Sequence, residues 1–308
     1  MNRRRFLQRS SYVAAMGFLN TLPSSAILQA NDSVFHLTIL HTNDVHSRID
    51  PFPEDGTRNA GKGGVSRRKS LIDQVRGEGQ KTLLIDAGDI FQGTPYFNLY
   101  KGELEMKLMS ELGYDLGTIG NHDFDAGTDN LALQMQHANF PLIISNYDIE
   151  DTPLSGKMKD SHVWDFGEVK VGLYALGIEL DGLVPKALYG HTRYQDPIKT
   201  AQKYEAYLKR QLECDYVICL SHLGYKYDGQ KVSDVVIARE TQHTDLIIGG
   251  HTHTFMYEPH IEKNKLDRPV MINQVGFAGI LLGRIDLYFE KGSRRKAQQG
   301  TALSVLST

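Results

Sequence analysis

Apolar positions along this chain fall into short runs that alternate with amphipathic stretches. Phe35–His41 reads as a strand, and a loop rich in Pro, Gly and charge follows to about Gly63. Gly64–Gly77 repeats apolar residues at helical spacing, with Val65, Leu71, Ile72 and Val75 on one side. Thr82–Ala87 is a short apolar strand, Glu103–Leu112 an amphipathic helix, and Leu116–Ile119 a strand again. Thr128–His137 is helical and Leu142–Ser145 extended. Val163–Phe166 and Val169–Leu176 flank Gly167-Glu168 as a hairpin. Pro197–Leu212 predicts a long helix, Tyr216–Leu220 a buried strand, Val232–Glu240 a helix and Leu246–Ile248 a strand ending in Gly249-Gly250. Pro269–Asn273, Ile280–Phe289 and a last strand around Ala302–Leu306 close the chain, with Lys291–Lys296 as a solvated turn.

Strands alternating with helices predict an α/β fold with a largely parallel core, to which the hairpins add antiparallel edges. No repeat, low-complexity linker or internal domain boundary interrupts the pattern. Such folds place ligands at the carboxyl ends of their strands.

The first thirty residues break the pattern. Arg3-Arg4-Arg5-Phe6-Leu7-Gln8 resembles a twin-arginine export signal, and the apolar stretch from Tyr12 to Leu19 is well short of the ~20 residues that span a bilayer. Residues 1–30 are therefore expected to be a signal peptide cleaved after Ala26 or Ala30, leaving residues 31–308 as one catalytic domain, exported to the periplasm or outside the cell. No Cys lies near the junction, so no lipid anchor and no stable membrane attachment is expected. The leader carries four Arg and no acid; without it the 34 basic residues fall to 30 against 37 acidic, and the net charge moves from −3 to −7. An acidic body argues against a nucleic-acid or anionic-membrane partner. Cys214 and Cys219 flank or enter a buried strand, and their offset of five puts them on opposite faces as two buried thiols.

Chemistry concentrates at the strand ends. Asp44-Val45-His46, Gly88-Asp89, Gly120-Asn121-His122-Asp123, Ser221-His222 and Gly250-His251-Thr252-His253 each follow an extended run. Their donors are carboxylates, one amide and imidazoles without Cys, a mixture that suits Mn, Zn, Fe or Co better than Ca. The offset of two in Asp44/His46 and His251/His253 points each pair one way on extended backbone. Gly88 permits a tight turn that lets Asp89 project, and its two oxygens can bridge two cations. Asn121 offers a neutral oxygen. His122 can ligate or stay free as an acid, and Asp125, three residues on, can orient it or cap the next helix. His222 is either a ligand or a buried, hydrogen-bonded core histidine. His41 has a structural role, and the other histidines stand alone.

The ordered set resembles the calcineurin-like metallophosphoesterases. Leu40-His41-Thr42-Asn43-Asp44-Val45-His46, Gly120-Asn121-His122-Asp123-Phe124-Asp125 and Asn273-Gln274-Val275-Gly276 are similar to the catalytic domain of the secreted 5'-nucleotidase branch, over residues 35–290. The resemblance implies a four-layer α/β/β/α sandwich of two mixed sheets with two divalent metal ions between them. It implies one metal on Asp44, His46, Asp89 and His253, the other on Asp89, Asn121, His222 and His251, and His122 with Asp125 as the catalytic pair. The reaction expected is hydrolysis of 5'-nucleotides or similar small phosphate esters by hydroxide held between the metals. Cyclic nucleotides and nucleotide sugars are the diester alternatives. Members of that branch carry a C-terminal domain that grips the nucleoside, and the sequence ends where it would start. The expectation is thus a lone catalytic domain, or half of a split nucleotidase whose partner is a separate C-terminal-type domain protein.

Overall fold

The computed structural model describes residues 33–229, 231–293 and 296–306. The leader expected over residues 1–30 lies outside them. In chain order the elements are β1 (Val34–Thr42), α1 (Val65–Arg76), β2 (Lys81–Asp86), α2 (Pro95–Tyr100), α3 (Glu103–Leu112), β3 (Leu116–Gly117), α4 (Thr128–Gln134), β4 (Tyr147–Asp148), β5 (Ser161–Asp165) and β6 (Lys170–Gly177). There follow α5 (Lys186–Tyr189), β7 (Arg193–Tyr194), α6 (Pro197–Ala206), β8 (Tyr216–His222), α7 (Asp234–Glu240), β9 (Leu246–Gly249), β10 (His260–Lys263), β11 (Pro269–Asn273), β12 (Leu281–Glu290) and β13 (Lys296–Ser304).

The strands build two main sheets. One has the order β13-β12-β1-β2-β3, the other β10-β11-β9-β8-β6-β5. β1, β2 and β3 run parallel, as do β11, β9, β8 and β6. β10 and β5 are antiparallel edges of the second sheet, and β12 is antiparallel inside the first. Both faces of the central strands are apolar, because each sheet is covered twice. Leu37, Ile39 and Ile85 of the first sheet meet Leu173, Ile218 and Ile248 of the second in a shared core. The first sheet's other face packs Leu40 and Leu84 on Ile72 of α1, Met106 of α3 and Leu131 of α4. The second packs Val217, Cys219 and Ile247 on Ala201 of α6 and Ile237 of α7. Helix, sheet, sheet, helix is the four-layer sandwich expected.

Register brings the strand ends together. Thr42 pairs Asp86 and Asp86 pairs Gly117, so the loops after β1, β2 and β3 leave one edge side by side. Gly177 pairs His222 and Ser221 pairs Gly249, which does the same in the second sheet.

Several local expectations need correction. Leu142 and Ile143 make only isolated bridges, to Gly117 and Lys159, where a strand was expected. The helix from Pro197 stays α-helical to Ala206 and finishes as a π-helical turn over Tyr207–Gln211. The last strand starts at Lys296, inside the expected turn. α2, α5, β4, β7 and β10 escape the pattern because they are two to six residues long, less than the window that periodicity needs. Cys214 and Cys219 are free and buried in one outer core, not on opposite faces. Cys214 precedes β8, so strand alternation does not govern it.

Candidate metal centre

Seven ligand-type side chains from the two sheets converge at the aligned strand ends. Asp44, His46 and His253 form one group whose ligand atoms lie within 4.8 Å of one another, and Asp89, His222 and His251 form a second. Asn121 joins the second, its Oδ1 2.9 Å from His251 Nδ1. Asp89 stands between the groups: its Oδ2 is 3.1 Å from His222 Nε2 and 3.8 Å from His46 Nε2. Its Oδ1 accepts the His122 N–H at 2.8 Å, so one oxygen is anchored and the other faces both groups. Asp44 Oδ1 also reaches both, 3.3 Å from His253 Nε2 and 3.9 Å from His222 Nε2.

Apart from His222, which ends β8, the backbone that presents the two groups is not extended. Asp44, His46, Asp89, His251 and His253 all have φ between 50° and 72°. Strand alternation therefore does not explain why Asp44 and His46 meet, and His251 and His253 diverge into different groups. Left-handed conformations of such residues cost of order 1–3 kcal/mol each, so the surroundings must hold them. Asp44, His46 and Ser47 donate their N–H groups to the carbonyls of Gly88, Asp89 and Ile90 at 2.9, 3.1 and 2.9 Å. The glycines leave room for this closeness. A Cβ on Gly88 would come 2.6 Å from the Gly120 nitrogen, and one on Gly250 would come 2.8 Å from His222 Nδ1.

The donor set fits divalent cations. His222 is fully buried, and its Nδ1 lies 2.7 Å from the Ala87 carbonyl. That bond leaves Nε2 aimed at Asp89 with no hydrogen-bond partner. His46 and His253 turn their Nε2 atoms toward each other at 3.0 Å, an arrangement that a shared cation satisfies. Burial lowers His46, and burial with the charge of His222 lowers His251 to about 4, which keeps both rings neutral as ligands must be. Burial alone would lower His222, but Asp89 and then Asp44 outweigh it and raise the ring to about 10. Burial likewise would raise Asp89, and His222 and His46 reverse it to hold the carboxyl below its ordinary range. The two carboxylates thus favour positive charge beside them, which a divalent cation would supply.

His122 stays out of both groups. Its Nδ1 lies 2.8 Å from Asp125 Oδ2, and this bond raises its pKa despite partial burial. The alternative of Asp125 as a helix cap falls away, because Gly127 occupies the N-cap of α4. His41, with no exposed surface, contacts the Asn273 side chain at 2.9 Å, and burial takes its pKa down to about 3.

Three residues behind the ligands lie inside the motifs read from sequence but carried no role there. Asn43 donates to Asp44 Oδ2 at 2.6 Å and accepts the Val275 N–H at 2.9 Å. Gln274 accepts the Thr254 N–H at 2.5 Å and donates to the Gly250 carbonyl at 2.6 Å. Asp123 collects the N–H groups of Asp89, Ile90, Phe91 and Gly120 at 2.7–3.0 Å. The one sequence signal for them is position: polar residues next to ligands at the ends of buried strands.

Comparison with known proteins agrees with this geometry. The sequence model for calcineurin-like phosphoesterases matches residues 37–255. Snake venom 5'-nucleotidase of Gloydius brevicauda is 32% identical over 285 residues, 86% of this chain and 47% of that protein. The 5'-nucleotidase of Vibrio cholerae is 32% identical over 285 residues, 85% of this chain and 50% of that protein. Among solved structures, a 5'-nucleotidase precursor from Thermus thermophilus superposes with a TM-score of 0.77 at 30% identity, over 88% of this chain and 54% of that one. The chain spans about half the length of the curated relatives it matches.

Proposed function

Because the chain belongs to the calcineurin-like phosphoesterase family, we propose that it is a metal-dependent phosphoric ester hydrolase acting on 5'-nucleotides or similar small phosphomonoesters. The observation that carries this reading is the pair of ligand groups sharing Asp89, with the hydrogen-bonded His122 and Asp125 beside them. Asp44, His46, Asp89 and His253 would hold one divalent cation, and Asp89, Asn121, His222 and His251 the other. Bound there, such cations supply Lewis-acid polarisation of the phosphoryl group and an acidified water. Mn, Zn, Fe and Co suit the imidazole-rich set. Asp125 holds His122 Nδ1, which leaves Nε2 to donate to a phosphoryl oxygen or to protonate the departing oxygen. No covalent link to the chain is required.

The test pairs metal analysis with turnover of AMP, a cyclic nucleotide and an aryl phosphate. Phosphate release from AMP by protein holding two metal equivalents supports the proposal. Cleavage of the cyclic nucleotide in preference to both monoesters would replace it with the diesterase reading. A metal-replete protein inert on all three would sink it. In a second reading a separate polypeptide grips the substrate; full turnover by this chain alone would remove it. Export by the twin-arginine route belongs to the same proposal, and replacing Arg4-Arg5 by lysines should keep the precursor inside the cell in fractionation.

A further inference from the structure

The most unusual buried chemistry lies behind the metal centre. Arg68 on α1, Glu105 on α3 and Ser47 after β1 are 3%, 4% and 0% exposed. Arg68 Nε and Nη1, both Glu105 carboxylate oxygens and Ser47 Oγ are buried and have no hydrogen-bond partner among the described residues. All three residues line one internal cavity of about 20 Å³, with Tyr114 and the apolar side chains of Val45 and Ile90. An ordered water needs about 10–15 Å³ and two to four polar partners, and this cavity supplies both. A small ion fits it less well, since a cation would meet the guanidinium and an anion the carboxylate. Water donates to Glu105 and accepts from Arg68, so it satisfies both at once.

The cavity forms the floor of a strained turn. Asp44, His46 and Ser47 all have left-handed φ, and Ser47, its hydroxyl buried, lines the cavity at the end of that turn. Arg68 also runs beneath Gly279, where any Cβ would overlap its guanidinium. Next to Gly279, the Ala278 N–H donates to the Asp44 carbonyl at 2.7 Å. From the opposite side, Tyr114 shares a hydrogen bond with Thr42 at 2.7 Å, Thr42 donates to Asp86 at 2.5 Å, and Asp86 accepts the Gly88 N–H at 2.9 Å. The unpartnered trio is thus continuous with the supports of both the Asp44–His46 and the Gly88–Asp89 turns.

We propose that this cavity is a built internal water site, and that Arg68 and Glu105, joined through its water to Ser47, are positioning residues for the metal-ligand turn carrying Asp44 and His46. The functional half rests on the metal assignment above; the water site itself does not. Bound water then acts as the third leg of a clamp that keeps His46 aimed at the metal position.

Two measurements on the full chain test this. A high-resolution crystal structure should show ordered water within hydrogen-bond distance of Ser47 Oγ, Arg68 and Glu105. A direct Arg68–Glu105 pair closing a dry cavity would overturn the water site. Single loss of either charge strands its partner and risks the fold, so the functional variant is R68M/E105L, since apolar replacement of a whole buried pair is tolerated. In chelator-competition titrations with Mn, this folded variant and S47A should bind one of two equivalents about 10–100-fold more weakly. R68K/E105D, which keeps both charges and still bonds to water, should recover most of that loss. Unchanged affinity at both equivalents in R68M/E105L would overturn the positioning role. Wild-type protein that binds no Mn, Zn, Fe or Co would instead fault the metal assignment and leave the crystallographic result standing.

Discussion

His122 and Asp89 separate the two kinds of work a side chain does at this centre. The His122 ring lies outside both ligand groups, edge-on to the His46 ring and hydrogen-bonded to Asp125, and it is the backbone N–H of His122 that reaches Asp89. His122→Ala should therefore keep both metal equivalents by elemental analysis while hydrolysis falls by about 10²-fold or more. Asp89 is the shared contact, so Asp89→Ala should release both metals; retention of two equivalents would contradict bridging. Both residues were legible from sequence because ligand chemistry is written in residue type and both follow a strand. The roles of Asn43 and Gln274 were not, because an amide carries no sign of its partner. Their value comes from groups more than 200 residues away for Asn43 and about 20 for Gln274.

The turns at the strand ends carry the strain that the strands themselves avoid. Gly88 has φ +89°, and an added Cβ would meet the Gly120 nitrogen and the Ile119 carbonyl carbon. Gly88→Ala should cost about 2 kcal/mol or more in urea unfolding, from the left-handed penalty plus displaced backbone, and should lose metal with it. The pairing of β1 with β12 has its own electrostatic seal. Asp286 accepts from Thr38 at 2.6 Å and Arg284 at 2.8 Å and contacts His36 at 2.9 Å. Burial would raise its pKa, but His36, Arg284 and Thr38 take it down to about 2. A depressed carboxyl stabilises the fold above its unfolded pKa and loses that contribution as pH falls through the folded one. Asp286→Asn should thus cost about 2 kcal/mol at pH 7, with the gap to wild type shrinking from about pH 4 downward in urea midpoints. Long elements such as α1 and α3 were readable from periodicity. The short ones were not, since two to six residues hold no period, and α2 announced itself only through Pro95 at its start.

The assembled chain stacks two mixed sheets between helical layers, and no helix among the described residues is long and apolar enough to cross a membrane. Both cysteines are free, so reductant should leave the melting temperature unchanged. Metal should not. A ligand at a hundred times its Kd stabilises by about 2.7 kcal/mol, which for a domain of this size raises Tm by about 5–10 °C. Calorimetry with Mn against chelator checks this, and equal Tm values would refute it.

Donor chemistry, the order of strands and helices and the placing of ligands after strands were already carried by the sequence. These are local properties, since residue type and periodicity act over a few positions. Which donors stand together was decided in three dimensions, and the sequence carried it only through its resemblance. Asp44 meets His253 across 209 positions of chain because two sheets align their carboxyl ends. His251 and His253 part company, two residues apart, because left-handed backbone abolishes the alternation that sequence spacing assumes. The buried trio of Ser47, Arg68 and Glu105 belongs to the same class: three separate elements make a polar cavity that none of them encodes alone.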